Sequence, residues 1–212
     1  MGQDLRHEVQ RLAPNATVTE FYGAAETSFI AWSDGAGPEG SVGPAYPGVE
    51  IRIDPPGADL GTIWVKSPYL FEGYAEGESP DTQWHEGFVT VGEAGHLAED
   101  GSLSIAGRKN RMVTIADQNV FPEDIELFFL SHQGVTHAAV LPRRDQNRGT
   151  VLVALIDALP ENMTVDDLLR ASRQRFVPLV APRRIFVAED FPVTTSGKPD
   201  LARATHLIEA RE

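Results

Sequence analysis

The hydrophobic and polar positions along the chain fall into two textures. Residues 4–12 place Leu5, Val9 and Leu12 at helical spacing, with Pro14-Asn15 behind them as a stop, which predicts a short amphipathic helix. Residues 16–22 then alternate as a half-buried strand does, and Gly23 breaks the run. Residues 33–48 are rich in Gly and Pro and read as loop. Short strand-like runs follow at residues 49–53, 61–66, 87–91 and 102–106, separated by turns such as Asp54-Pro55-Pro56-Gly57 and Glu99-Asp100-Gly101. Short, closely spaced strands predict a small antiparallel barrel or sandwich.

Helical patterns enter after Gly107. Residues 111–115 are strand-like, and residues 122–130 open a helix with Pro122 at its start and Glu123 and Asp124 in its first turn, where they complement the helix dipole. Residues 135–141 and 150–157 predict a strand pair. Thr164, with Asp167 three residues on, forms a capping box for a helix through Gln174. A short strand at 184–187 and a closing helix at 201–210 complete a half that reads as α+β, helices packed on a small sheet. The longest apolar run, residues 151–156, is too short to span a bilayer, and Met1-Gly2-Gln3-Asp4 does not open a signal peptide.

Charge sharpens the division. The 212 residues carry 18 Lys+Arg and 31 Asp+Glu, a formal net charge of −13. Residues 1–106 hold 4 of the basic and 17 of the acidic groups, whereas residues 107–212 hold 14 of each, so the whole excess lies in the first half. Such an acidic balance argues against nonspecific nucleic-acid binding, which depends on neutralising phosphates. There is no cysteine, which excludes a disulfide framework, Cys-ligated zinc and a thiol nucleophile, and fits a cytoplasmic location.

Four segments carry candidate chemistry. Tyr22-Gly23-Ala24-Ala25-Glu26-Thr27 ends a strand with an aromatic ring, a Gly turn and a carboxylate; the ring can stack on a purine and the carboxylate can hold Mg²⁺ beside phosphates. Val91-Gly92-Glu93 sets an acid on a Gly turn, where it can accept from ribose hydroxyls. Gly107-Arg108-Lys109-Asn110-Arg111, with Asn119-Val120-Phe121-Pro122-Glu123 beyond it, sits where the charge balance changes. Phe191 to Asp200 is a polar loop presenting one lysine, Lys198; it lacks the upstream Gly and following Ser/Thr of a Walker phosphate loop. Taken singly, each also fits a plain turn or a solvated loop.

In this order and spacing the segments resemble the adenylate-forming (AMP-binding) superfamily, with the texture of its fatty-acyl-CoA synthetase branch, over essentially the whole chain but only as its C-terminal portion. The resemblance implies a remnant of the large AMP-binding domain with an antiparallel β-barrel subdomain over 1–106, a hinge at 107–111 and an α+β lid domain over 112–212. It implies an acid–thiol ligase that activates a carboxylic acid, here a fatty acid, as acyl-AMP with Mg·ATP and passes it to coenzyme A. By the same resemblance Tyr22 stacks on adenine beside Gly23, Glu26 helps hold Mg²⁺, Glu93 and Arg108 bind the ribose hydroxyls, and Lys198 bridges the acyl carboxylate and the α-phosphate. Arg143, Arg144 and Arg148, in one loop, are candidates for meeting CoA phosphates.

Several positions depart from the family pattern. Ala25 and Val91 replace hydroxyl residues, Glu93 replaces an aspartate, Arg111 stands where many members have an aspartate, and Ala116-Asp117 replaces Gly-Gly. No stretch supplies the Ser/Thr/Gly-rich phosphate loop, and only about twenty residues precede Tyr22 where the family's acyl pocket is expected, so the chain reads as a fragment inactive in adenylation by itself. Surfaces left bare in such a fragment make a homodimer plausible. A degenerate relative serving as a binding or assembly protein is the alternative, and adenylation for a carrier protein a weaker one.

Overall fold

The computed structural model describes residues 3–35, 37–38, 40–146 and 148–211. It divides into two compact units, Met1–Asn110 and Arg111–Glu212.

The first unit opens with helix α1 (Gln3–Leu12). Of the apolar face expected there, Leu5 has no described side chain, Val9 is half-buried and Leu12 is 72% exposed. The segment is instead docked by polar groups. Arg6 donates to the carbonyls of Val18 and Asp34, at 3.0 and 2.7 Å, and Gln10 to those of Ala13, Pro14 and Ala16. Strands β1 (Glu20–Ala24) and β2 (Ser28–Ser33) form an antiparallel hairpin, of which only the first strand was legible in the sequence. Short β3 (Ser41–Gly43) falls in the stretch expected to be loop.

Six further strands follow: β4 (Glu50–Asp54), β5 (Gly61–Lys66), β6 (Gln83–His85), β7 (Phe88–Thr90), β8 (Glu93–Leu97) and β9 (Leu103–Arg108). With β3 they make a seven-stranded sheet in the order β3-β9-β8-β5-β7-β6, with β4 on β5. No pairing among the described residues joins β6 back to β3, so the strands form an antiparallel sheet and barrel closure is not seen among those residues. Pleat alternation sends Ile53, Ile63 and Val65 to one face, where they pack with Ile30, Ala31 and Leu103 as the core.

The second unit starts with Arg111 at the end of a single 3₁₀ turn, then hairpin β10 (Val113–Ile115) and β11 (Gln118–Val120), and helix α2 (Pro122–Leu130). Its sheet has three strands, β12 (Ala138–Asp145), β13 (Gly149–Ile156) and β14 (Arg184–Val187); β12 runs antiparallel to β13 and β14 parallel to it. Helix α3 (Val165–Arg175) begins on the expected capping box, and α4 (Leu201–Glu209) on Asp200. The central strand β13 is buried on both faces, which is why it reads as an unbroken apolar run. Leu152, Ala154 and Ile156 join Ile125, Phe129 and Leu168 on the side of α2 and α3, while Val153 and Leu155 join Ala204 and Ile208 on the side of α4.

Candidate functional site

In the first unit the β1–β2 hairpin carries Tyr22, Gly23 and Glu26. A bulge lies between Tyr22 and Gly23, and a Cβ at Gly23 would stand 1.9 Å from the Ser28 carbonyl oxygen, so only glycine lets the strands approach. Thr27, 1% exposed, closes the turn: its Oγ1 accepts from the Ala24 N–H at 3.1 Å, and its own N–H donates to the Ala24 carbonyl at 3.2 Å. Tyr22 is half-buried against the Ile30–Leu103 cluster, and its hydroxyl is buried without a hydrogen-bond partner among the described residues. Glu26 accepts at Oε1 from the Tyr74 hydroxyl at 2.7 Å, and its carbonyl accepts from the Phe71 N–H at 2.9 Å. Tyr74 was not singled out from sequence, because a lone tyrosine in a run of Gly and Glu has no period to betray it.

Glu93 opens β8 rather than sitting on a turn, and its cross-strand partner is Arg108 on β9. Residues directly opposite in a ladder project from the same face, so two candidates fifteen positions apart in sequence become neighbours. The preceding turn is tied down on both sides, by the Gly92 N–H donating to Thr90 Oγ1 at 3.1 Å and the Lys109 N–H donating to the Gly92 carbonyl at 2.8 Å. A polar cavity of about 320 Å³ lies on the other face of the same sheet, lined by Asp54, Thr62, Trp64, Asp81, Thr90 and Lys109 among others. Register separates the two: Thr62 pairs with Ala94, so Glu93, one residue earlier, points away from it.

Lys198 belongs to the second unit. Its loop is a tight turn, in which the Thr194 N–H donates to the Lys198 carbonyl at 2.8 Å and Gly197 takes φ +79°. The Asp200 N–H donates to the Pro192 carbonyl at 2.9 Å, which pins the loop to the start of α4. The lysine is exposed, and its ammonium makes no hydrogen bond or ion pair among the described residues. Behind the loop, Phe191 stacks on His137 at 5.4 Å.

Arg111 is a fixture of this unit. It holds Glu126 through two hydrogen bonds of 2.7 and 3.0 Å, lies 3.4 Å from Glu123 and donates to the Val140 carbonyl at 3.1 Å. Its pKa is raised: desolvation, the largest effect, pulls it down and is outweighed by the hydrogen bond and charge of Glu126 together with the charge of Glu123. Ala116 and Asp117 form the two-residue turn between β10 and β11, both left-handed with φ of 50° and 60°. The three arginines expected in one loop are separated. Arg143 and Arg144 are adjacent residues of β12 and so face opposite ways, and Arg143 pairs with Glu209 at 2.8 Å. Arg148 instead lines a cavity of about 260 Å³ with Ile115, Ala116, Leu179 and Arg183.

Comparison with known proteins decides the family. Residues 1–75 match the AMP-binding enzyme family, and residues 124–198 the AMP-binding enzyme C-terminal domain. The chain belongs to the AMP-binding enzymes. It is 33% identical over 205 residues to the uncharacterized acyl–CoA ligase YhfT of Bacillus subtilis, covering 92% of this chain and 41% of that protein. To the 2-succinylbenzoate–CoA ligase of Enterococcus faecalis it is 25% identical over 205 residues, covering 92% and 42%. Among solved structures it resembles o-succinylbenzoate coenzyme A synthetase from Bacillus subtilis in complex with AMP, with a TM-score of 0.78 at 25% identity over 91% of this chain and 41% of that one. This AMP-binding chain therefore spans about two fifths of the length of these relatives. Among its described residues no helix is long and apolar enough to cross a membrane.

Proposed function

We propose that this chain supplies part of the nucleotide site and the lid of an acid–thiol ligase, one that joins a carboxylic acid to coenzyme A through an acyl-adenylate. The observation that carries the reading is the cross-strand pairing of Glu93 with Arg108, which sets an acceptor and a donor side by side for vicinal ribose hydroxyls. Tyr22 offers a ring for adenine on the neighbouring hairpin, with Gly23 keeping the backbone beside it thin.

Glu26 suits Mg²⁺ by its donor chemistry. No group of three or more His, Cys, Asp or Glu among the described residues makes a metal cage, whereas Mg²⁺ commonly needs only one or two carboxylates and completes its shell with water and substrate phosphates. Bound there, the ion would neutralise phosphate charge during adenylation.

Adenylation forms a bond between a carboxylate oxygen and the α-phosphorus and expels pyrophosphate; thioester formation then expels AMP. Lys198, a cation on a tight turn without a partner among the described residues, is suited to bridge the two anions that adenylation brings together. Residues 107–111 serve as the hinge. Lys109 Nζ donates to Thr62 at 3.2 Å and Asn110 to Asp81 at 2.7 Å, within the first unit, while Arg111 is clamped into the second. Within this hinge, side-chain contacts to the first unit end at Asn110 and contacts to the second begin at Arg111. Arg148 and Arg183, two cations beside an apolar wall, fit the phosphates and pantetheine arm of coenzyme A, with Ala116 at the rim.

The 212 residues contain no phosphate loop, so we expect no ATP–pyrophosphate exchange from this polypeptide alone with a fatty acid. AMP should still bind, and E93A and R108A should each weaken it about tenfold or more in calorimetry. AMP binding unchanged in both variants would remove the nucleotide reading. In the whole gene product K198A should lower adenylation about 10²–10³-fold. The acid is proposed to be a fatty acid, and rates with aliphatic acids against 2-succinylbenzoate decide that choice.

A further inference from the structure

The turn that carries Glu26 is held from outside by a segment with no assigned role. Tyr74 donates its hydroxyl proton to Glu26 Oε1 at 2.7 Å, and Thr82 Oγ1 lies 2.8 Å from the same hydroxyl. Tyr74 has one proton and a carboxylate can only accept, so the direction is set: Thr82 donates to Tyr74, and Tyr74 to Glu26. The relay is anchored by the Phe71 N–H on the Glu26 carbonyl at 2.9 Å, by Phe71 edge-on to Tyr74 at 5.0 Å, and by Phe71 stacked on Trp84 at 5.8 Å. Oε2 of Glu26 has no partner among the described residues.

We infer that Tyr74 is a positioning residue for the metal-binding carboxylate. It ties one oxygen of Glu26 and turns the other outward, so that a nucleotide-bound Mg²⁺ meets an oriented ligand; Thr82 polarises the hydroxyl that does this. A carboxylate on a turn otherwise samples several rotamers, and fixing it before the ion arrives removes that ordering cost from the binding step. The second oxygen is left for the metal because Tyr74 can serve only one. This inference rests on the nucleotide reading of the site.

The test is ATP binding to the full 212-residue chain by calorimetry, with and without Mg²⁺, for wild type, E26Q, Y74F, T82V and T82S. Mg²⁺ should tighten ATP binding by the wild type, and E26Q should abolish that gain. Y74F should cut the gain about three- to tenfold while leaving metal-free ATP affinity unchanged, T82V should show part of the loss, and T82S should restore it. A merely structural tyrosine would change metal-free and metal-bound affinity alike, and that result overturns the inference. So does a Mg²⁺ gain abolished in E26Q and intact in Y74F. No Mg²⁺ gain in the wild type, or one untouched by E26Q, removes the metal reading itself and this inference with it.

Discussion

Ala116 holds a left-handed conformation, φ 50°, that an L-residue with a Cβ adopts only at a cost of about 1–2 kcal/mol. Its neighbour Asp117 bears the same geometry at φ 60° more easily, because aspartate is among the residues that visit the left-handed region at lower cost. A116G should therefore raise the stability of the second unit by about 1 kcal/mol, read as a shift in its urea midpoint. The turn holds a geometry that glycine would make cheap, which ties a departure seen in the sequence to a backbone position. Tyr22 makes a parallel case in the first unit. Its buried hydroxyl lacks a partner among the described residues, so Y22F removes a desolvated polar group and should leave that unit equally stable or up to about 1 kcal/mol more so, by thermal melting. A clear loss of stability would mean that the hydroxyl has a partner in solution.

Among the elements, α3 depends on its reciprocal cap. Thr164 Oγ1 accepts from the Asp167 N–H at 3.2 Å and Asp167 Oδ2 accepts from the Thr164 N–H at 3.0 Å; T164A should cost about 1 kcal/mol. The Arg111–Glu126 pair joins the start of the second unit to α2, and Glu126 Oε1 also accepts from the Val140 N–H at 2.8 Å. With side chains 18% and 12% exposed the pair is largely shielded, so E126A, which strands the Val140 amide and leaves the guanidinium only Glu123 and the Val140 carbonyl, should destabilise by about 2 kcal/mol.

Asp157, just after β13, accepts from the Thr136 N–H and hydroxyl and from His137 ahead of β12. Its pKa is lowered: burial alone would raise it, and the hydrogen bonds from Thr136 and His137 prevail. A depressed carboxylate stabilises the fold above its unfolded value of about 3.9, and the contribution disappears as pH falls through the lower folded value. D157N should therefore narrow the difference in stability between neutral pH and about pH 3, measured on the second unit.

At the scale of the whole molecule the charge asymmetry acts on one unit only. With 6 basic and 17 acidic groups in residues 1–110, the first unit repels itself, and salt should relieve this within a Debye length of about 8–10 Å. The second unit, with 12 basic and 14 acidic groups in residues 111–212, is nearly balanced. Raising NaCl should lift the melting temperature of the first unit and leave that of the second nearly fixed, as followed by calorimetry.

What could be read in advance follows from how locally each signal is written. The capping box, the Pro-led helix and the doubly buried strand 151–156 are set by neighbours within a few residues, so the sequence by itself determined them, together with the order of motifs that marks the family. Strands β2, β3 and β8 were invisible: β3 pairs with β9, a partner distant in the chain, while β2 and β8, though paired with their chain neighbours β1 and β9, carry no strong side-chain period. The same is true of the site. Tyr22, Glu26, Glu93, Arg108 and Lys198 could be named from sequence, but only the tertiary structure set Glu93 opposite Arg108, handed one oxygen of Glu26 to Tyr74, committed Arg143 to Glu209 and clamped Arg111 into the second unit. Residue identity fixes which groups can donate, accept or carry charge; which of them meet is decided by register and packing, which no short stretch of chain contains.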